Sequence, residues 1–206
     1  MLHVYVMQLG TYQTNCYMAW WTDSETCVII DPGDDVQQIY EGLDIFDLKV
    51  GSILLTHGHF DHVGAVKELV DQFDCPVYMH KADYEMQDKK MYPLAGEKLP
   101  KPVFIEQGDT LSLSGLEIKV FHTPGHTPGS VCFGFEDVLV TGDTLFASSV
   151  GRTDLPGGDW ETLCASLRKL RGLEDPWKVY PGHGDRSTLE QEKKSNPFLK
   201  KLKIKN

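Results

Sequence analysis

Residues 56–62 of the chain have the sequence THGHFDH and directly follow an apolar run at 52–55. Such a run predicts a buried strand, and the loop that leaves a strand end is where α/β folds place ligand sites. Histidines two apart on an extended segment project to one side, so His57 and His59 are expected to bind one ion together. If a helix begins near His62, then Asp61 and His62 face a second ion close by.

Three later segments repeat this arrangement of a strand, a turn containing Gly or Pro, and a candidate ligand. The ligands are His126, Asp143 and His183, after predicted strands at 117–121, 138–141 and 178–180. A single histidine is more often an ordinary hydrogen-bonded side chain, but burying this many polar groups together is costly unless a metal satisfies them. Imidazole and carboxylate without thiolate suit zinc, iron or manganese, and the spacing does not choose among these metals.

Charge and cysteine content narrow the classes of function. The 20 basic and 30 acidic residues give a net charge of −10, which repels phosphate backbones and predicts no nucleic-acid partner. The five cysteines are scattered without a CxxC pair, so they are expected to be buried thiols in a reducing compartment. No run reaches transmembrane length and the first residues do not resemble a secretory signal, so we expect no membrane partner and a cytoplasmic location.

The whole chain, 1–206, is expected to form one mixed α/β domain, because short β-branched runs alternate with turns and a few amphipathic segments. Further strands are predicted at 4–9, 16–21, 26–30, 52–55, 76–79, 103–106, 110–113 and 130–134. Helices are predicted at 36–43, 63–73 and 159–170. Residues 91–102 carry several prolines and predict a surface connection, and the lysines from Lys193 to Lys205 predict a frayed end.

The order of the candidate ligands resembles that of the metallo-β-lactamase-fold hydrolases. Their pattern is HxHxDH, then His, a bridging Asp and a last His, and the chain has HGHFDH followed by His126, Asp143 and His183. The likeness continues in the segments DPG at 31–33, HTPGHTPGS at 122–130, TGD at 141–143 and PGHG at 181–184. Such a joint match is highly specific for this fold.

Within that family the chain resembles the short bacterial members of the glyoxalase II (hydroxyacylglutathione hydrolase) group. The segments GRTDLPGGD at 151–159 and SNPF at 195–198 are similar to theirs. Full-length glyoxalase II enzymes carry an additional helical domain that forms much of the glutathione pocket, whereas 23 residues follow His183 here.

The resemblance implies a four-layer αββα sandwich with two divalent metal ions at one sheet edge, most closely zinc and otherwise iron or manganese. All seven ligand positions of the family are filled. They divide into His57, His59 and His126 for the first ion, Asp61, His62 and His183 for the second, and Asp143 as the bridge.

The activity implied is that of a hydrolase in which a metal-bridging hydroxide attacks an acyl carbonyl, most closely a thioester of the S-lactoylglutathione type. Two divalent ions outweigh the charges of Asp61 and Asp143, the two candidate catalytic residues, and this excess favours a hydroxide at neutral pH. A lactone or ester hydrolase is an alternative. Another is a persulfide dioxygenase of the same fold, in which one iron is held at the positions of His57, His126 and Asp143.

Four further polar residues have weaker assignments. Arg152 lies in the loop after Asp143, where its planar fork suits a substrate carboxylate, although an internal ion pair is an equally good interpretation. His122 precedes His126 by four residues and is expected to bond to the backbone as a structural residue. His3 and His80 are also expected to be structural.

Overall fold

The first half of the chain forms a six-stranded sheet in the computed structural model, which describes residues 1–88, 99–174 and 176–202. Its strands, in the order in which they lie side by side, are β1 (Leu2–Leu9), β2 (Thr14–Trp21), β3 (Thr26–Ile30), β4 (Lys49–Leu54), β5 (Val77–His80) and β6 (Val103–Ile105). The first three pair antiparallel, and β3 to β6 pair in parallel. Parallel neighbours need crossover connections. These contain α1 (Val36–Phe46), α2 (Phe60–Val63), α3 (Val66–Phe73) and α4 (Lys81–Asp88).

The second half forms another six-stranded sheet and a small hairpin. The strands are β7 (Thr110–Leu113), β8 (Leu116–His122), β9 (Val131–Phe135), β10 (Val138–Gly142), the hairpin strands β11 (Leu145–Phe146) and β12 (Ser149–Val150), β13 (Lys178–Pro181) and β14 (Ser187–Thr188). In the sheet the order is β14-β13-β10-β9-β8-β7. Only β10 and β13 pair in parallel, with α5 (Trp160–Arg171) between them in the chain. The helices α6 (Leu189–Ser195) and α7 (Pro197–Lys201) follow.

Three clusters of buried apolar side chains separate four layers. The first cluster contains Ile39 of α1 and Leu69 of α3 and lies on one face of the first sheet. The second lies between the sheets and includes Ile30 of β3 and Phe133 of β9. The third contains Leu167 of α5 and covers the outer face of the second sheet. The predicted αββα sandwich is confirmed, while the extent of one domain over 1–206 stays a prediction.

Neighbouring residues of the inner strands enter different clusters. In β3, Ile29 belongs to the helix-covered cluster and Ile30 to the cluster between the sheets. In β10, Val140 faces the other sheet and Leu139 faces α5. Successive side chains of a strand point to opposite faces, so a strand covered on both faces needs an unbroken apolar run. This requirement explains why the strands were recognisable in the sequence.

The segments that carry the candidate ligands leave β4, β8, β10 and β13 and meet where the two sheets come together. Backbone hydrogen bonds join these segments: the Val131 amide donates to the Thr56 carbonyl at 2.8 Å, and the Gly182 amide to the Gly142 carbonyl at 2.8 Å. The Asn15 amide of β2 donates to the Gly182 carbonyl, also at 2.8 Å. Ligand loops from different parts of the chain are therefore held at fixed separations.

Each predicted strand is present, but one predicted helix needs correction and another helix was not predicted. The helix predicted at 63–73 is divided, since α2 ends at Val63 and α3 begins at Val66. Between them the Gly64 amide donates to the Gly33 carbonyl at 2.9 Å, and a Cβ at Gly64 would lie 2.2 Å from that oxygen. In addition, α4 was not predicted, because its sequence KADYEMQD is mostly polar.

The prediction of a frayed C-terminal end is wrong for 189–201, which form α6 and α7. The Asn196 side chain begins α7 by accepting hydrogen bonds from the amides of Phe198 and Leu199, and a proline follows it in the first turn. Lys203 and Lys205 lie outside the described residues, as does 91–98 of the connection predicted at 91–102. Within residues 1–88, 99–174 and 176–202, no helix combines the length and apolar composition needed to cross a bilayer.

Candidate metal centre

The structure brings the seven predicted ligands together in two adjoining groups. The loop after β4 supplies His57 and His59, the turn of α2 supplies Asp61 and His62, and the loops after β8, β10 and β13 supply His126, Asp143 and His183. Ligand atoms of His57, His59 and His126, called here the three-histidine group, lie within 4.8 Å of one another. Those of Asp61, His62 and His183, called here the mixed group, do so as well.

Three ring nitrogens converge in the three-histidine group. Nδ1 of His59 lies 3.0 Å from Nε2 of His57 and 2.9 Å from Nε2 of His126. Ligand nitrogens about 2.0–2.1 Å from a tetrahedral ion are roughly 3.3 Å apart, so this spacing is close to that of a zinc site. The rings of His57 and His126 are almost fully buried.

Hydrogen bonds on the far sides of these rings direct lone pairs toward the centre. The Thr56 hydroxyl donates its one proton to Asp31 at 2.6 Å, so at 3.1 Å from Nδ1 of His57 it accepts a proton from that ring. Nδ1 of His126 donates to the Arg152 carbonyl at 2.7 Å. Both Nε2 atoms therefore present lone pairs, and such outer partners are typical of metal-ligating histidines.

Asp143 lies between the two groups. Its Oδ2 is 3.5 Å from Nε2 of His126 and 3.6 Å from Nε2 of His183, while its Oδ1 is 3.5 Å from Nε2 of His62. Within the mixed group, Oδ2 of Asp61 is 3.3 Å from Nε2 of His183 and 3.8 Å from Nε2 of His62. One carboxylate thus faces both groups, which is the placement that a bridging ligand requires.

Burial and charge act differently on the two groups. Burial and the neighbouring imidazoles lower the pKa of His57 far below its ordinary value and that of His59 to about 4, so both rings are neutral at pH 7. Burial opposes protonation of His62, but Asp143 and Asp31 outweigh it and raise its pKa to about 9. The mixed group therefore has a strongly negative field, and the three-histidine group offers neutral nitrogen donors.

Two buried atoms at the junction test whether the residues fit a metal pair. Nε2 of His62 and Oδ1 of Asp143 are buried and have no hydrogen-bond partner. Unpaired buried polar atoms are costly, and a cation between them removes that cost. A Cβ at Gly182 would lie 2.2 Å from Oδ1 of Asp143, so only glycine fits against this carboxylate. The site thus combines imidazole and carboxylate donors, convergent lone pairs and buried atoms without hydrogen-bond partners. All three features fit divalent metal ions.

Asp31, His57 and His62 are also close enough to share an ion, but their hydrogen bonds favour a different role for Asp31. This buried carboxylate accepts from the Thr56 amide at 2.7 Å and from the Thr56 hydroxyl. It also accepts from Nδ1 of His62 at 2.9 Å. Asp31 therefore orients His62 of the mixed group directly and His57 of the three-histidine group through the Thr56 hydroxyl.

A cavity of about 540 Å³ opens onto the ligand atoms that face solvent. The side chains of Asp61, Asp143 and His183 are 14%, 12% and 30% exposed, whereas that of His62 is fully buried. The cavity walls are mostly apolar and are formed by Tyr12, Phe60, Phe146, Val150, Leu155 and Pro156, with Arg152 at the edge. A site that is closed on one side and open on the other leaves coordination positions for a reactant.

The guanidinium of Arg152 forms the internal ion pair that was one of its two predicted roles. Its Nε and Nη2 donate to the two oxygens of Asp154, each at 2.7 Å. Both side chains are more than half exposed, so this pair contributes little to stability. The backbone carbonyl of Arg152 has the separate task of orienting His126.

The remaining histidines lie outside the two groups. Nε2 of His122 donates to the Pro128 carbonyl at 2.9 Å, which agrees with its predicted structural role. Its ring stacks on that of His80, with centroids 4.2 Å apart. His3 contacts Thr22 and stacks on Trp20.

Sequence reasoning did not identify Asp31 or Asn15 as parts of the centre. Asn15 donates from Nδ2 to the carbonyls of Pro181 and Gly184, at 3.0 and 2.9 Å, and so holds the turn that carries His183. Asp31 has a φ of 54°, an unusual backbone conformation for which the DPG turn was the one available indication. Nothing in the residues around Asn15 marks it.

The model of the Metallo-beta-lactamase superfamily matches residues 9–183 of the chain. The chain belongs to this superfamily. Superfamily membership together with the histidine and aspartate groups implies divalent metal ions and a metal-dependent hydrolase.

Three similar proteins cover almost the whole chain. Hydroxyacylglutathione hydrolase GloC of Haemophilus influenzae is 36% identical, and the match spans 96% of this chain and 98% of GloC. The structure of the BLEG-1 B3 metallo-beta-lactamase is 39% identical with a TM-score of 0.85, covering 97% of this chain and 99% of that one. The structure of TTHA1623 in a di-iron-bound form is 43% identical with a TM-score of 0.82, covering 95% and 100%.

Proposed function

We propose that the chain is a binuclear metal hydrolase that cleaves a thioester of the hydroxyacylglutathione type. The observation that carries this proposal is the cavity that opens on Asp61, Asp143 and His183, beside two groups of ligand atoms that share one carboxylate. The similarity to GloC along nearly the full length of both chains supports the choice of thioester. Lactones and simple esters are the alternative acyl substrates.

In this proposal His57, His59 and His126 would hold one ion, Asp61, His62 and His183 would hold the other, and Asp143 would serve both. Zinc is the proposed metal, because three convergent imidazole nitrogens suit it. Iron is the other candidate, given the di-iron form of a protein that is 43% identical. When bound, such ions supply a water that ionises near neutral pH and stabilise negative charge on a carbonyl oxygen.

The protein side chains position the reactants. Oδ2 of Asp61 accepts a hydrogen bond from the Thr14 hydroxyl at 3.3 Å, which helps to fix its carboxylate at the cavity surface. There Asp61 accepts a hydrogen bond from the attacking water and so orients the lone pair of the water oxygen toward the acyl carbon. The apolar walls formed by Phe60 and Phe146 exclude other water. A thiolate leaving group needs little acid assistance, since thiols have a pKa of about 8.5.

We propose a cytoplasmic location and a small-molecule substrate. All five cysteines are free thiols and all are buried, an arrangement that is typical of proteins from reducing compartments. The net charge of −10 is unfavourable for a nucleic-acid partner.

Metal analysis combined with a substrate panel tests the proposed function. Protein purified without chelators is expected to contain two zinc or iron ions per chain and to hydrolyse S-lactoylglutathione with kcat/KM of at least about 10⁴ M⁻¹s⁻¹. The panel includes a simple ester, a lactone and a β-lactam, the last because of the similarity to BLEG-1. Faster turnover of any of these three overturns the thioester assignment. One iron per chain with oxygen consumption on a persulfide establishes the dioxygenase instead.

Replacing Arg152 with alanine is expected to raise KM for S-lactoylglutathione about tenfold and to leave kcat within about twofold. Arg152 lines the cavity, where a charge-assisted bond from its guanidinium to a substrate carboxylate would contribute about 1.4 kcal/mol. Steady-state kinetics on the glutathione thioester and on an uncharged thioester measure the effect, which should be confined to the former.

The variant Asp154→Ala is the matched control for Arg152. It removes the carboxylate that occupies the guanidinium fork, so KM for the glutathione thioester should stay the same or fall. If Arg152→Ala changes neither KM, or changes that of both thioesters equally, then Arg152 does not bind a substrate carboxylate.

A further inference from the structure

Asp83 is a fully buried carboxylate on α4, the helix that was not predicted from the sequence. Its Oδ2 accepts from the Gly58 amide at 2.8 Å and from the Thr127 hydroxyl at 2.8 Å. Its Oδ1 accepts from the Gly129 amide at 2.5 Å. One carboxylate thus joins two loops that are almost 70 residues apart in the chain, the loop between His57 and His59 and the loop after His126.

From these contacts we infer that Asp83 is a positioning residue for the ion of the three-histidine group. Gly58 separates His57 from His59, and Thr127 directly follows His126, so the three bonds fix the backbone on both sides of that group. The carboxylate itself is not among the ligand atoms. Asp83 therefore acts through the spacing of the three ring nitrogens, and this inference rests on the proposed metal-dependent function.

The loop after His126 is shaped to receive this carboxylate. A Cβ at Gly129 would lie 2.5 Å from Oδ1 and 2.7 Å from Cγ of Asp83, so only glycine allows the close approach. Hydrogen bonds from two amides and a hydroxyl converge on this carboxylate and hold it in one orientation. Because the carboxylate is fully buried, replacing it leaves donors unsatisfied and allows the two loops to separate.

The mixed group has a different support. Asn15 of β2 holds the turn that carries His183 through the carbonyls of Pro181 and Gly184, and Thr14 bonds to Asp61. Asp83 thus supports the loops of the three-histidine group, and Asn15 supports a loop of the mixed group. This separation predicts that a change at each residue weakens a different ion.

Cobalt titration of the full-length chain distinguishes the two ions. The absorption bands of each cobalt ion are first assigned with two variants. His59→Ala removes a ligand of the three-histidine group, and His183→Ala removes a ligand of the mixed group. Asp83→Asn is expected to raise the dissociation constant of the ion that His59→Ala removes by about 10- to 100-fold, the range typical of outer-shell changes. The other constant should change less than about threefold, and Asn15→Ala should show the converse pattern.

Glu192→Gln is the matched control for loss of a buried charge. Glu192 is fully buried on α6 and also accepts three hydrogen bonds, from the Ser148 amide, the Ser187 hydroxyl and Asn196. Its replacement should lower thermal stability, as Asp83→Asn should, while both cobalt constants are expected to stay within twofold. Thr127→Val is a milder second variant, since it removes the hydroxyl that donates to Asp83 and leaves the two amide donors in place. It should weaken binding of the same ion to a smaller degree.

The possible outcomes separate this inference from the proposed function. If Asp83→Asn weakens both ions equally, or if Glu192→Gln weakens them as much, Asp83 contributes only general stability and the inference is overturned. Unchanged cobalt constants in Asp83→Asn and Thr127→Val overturn it as well, while the proposed function stands. A wild-type chain that binds no cobalt overturns both.

Discussion

Replacing Asp143 with alanine is expected to lower kcat/KM for the thioester about a thousandfold and to reduce the metal content of the protein. The oxygens of Asp143 face both groups, at 3.5 Å from His62 and from His126. Removing it leaves positive charge without its shared counter-ion and lets the separation of the ions change. A metal pair supplies several kcal/mol to a hydrolytic transition state, which corresponds to roughly three orders of magnitude in rate.

The matched control for this variant is Asp71→Ala. Asp71 is an exposed carboxylate of α3 that pairs with Lys67, so its loss should leave kcat/KM and metal content unchanged. Elemental analysis and steady-state kinetics on both variants measure the two effects. Full turnover by Asp143→Ala with two ions still bound contradicts the role of Asp143 as a shared ligand.

Most of the fold was predictable because the architecture buries both faces of its inner strands. The runs at 26–30 and 138–141 are apolar at nearly every position, since alternate side chains enter different buried clusters. The weakly patterned elements escaped prediction. Helix α4 has one strongly apolar side chain, Met86, and the hairpin strands β11 and β12 are two residues long.

The candidate ligands were predictable because each follows a recognisable strand and a Gly or Pro turn. The residues behind them were not, because a supporting side chain need not be near its target in sequence. Asp31 bonds to Thr56 and His62, and Asp83 bonds to Thr127 across 44 positions of the chain. Aspartates are common, and the 30 acidic residues of this chain gave no means of choosing these two. Burial distinguishes them, and burial of a polar residue depends on the tertiary fold.

Removal of the metal ions is expected to lower the Tm of the protein by about 15 °C or more. When the free metal concentration is about a thousand times the dissociation constant, each bound ion stabilises the folded state by about 4 kcal/mol. Each kcal/mol shifts Tm by roughly 2–4 °C in a domain of this size. Without cations, the lone pairs of His57 and His126 converge near Nδ1 of His59 at 3.0 and 2.9 Å. Nε2 of His62 and Oδ1 of Asp143 also remain buried without a hydrogen-bond partner.

Thermal unfolding followed before and after dialysis against a chelator measures this shift. Zinc added back to the metal-free protein should restore the original Tm, whereas magnesium should not, because it prefers oxygen ligands and three of the seven ligands form an all-imidazole group. His59→Ala provides the internal comparison, since a chain that has already lost one ion should show about half of the chelator effect. Elemental analysis confirms that the metal has been removed. If the Tm then falls by less than about 3 °C, the two groups are stable without cations, and the interpretation of their convergent lone pairs as a metal centre fails.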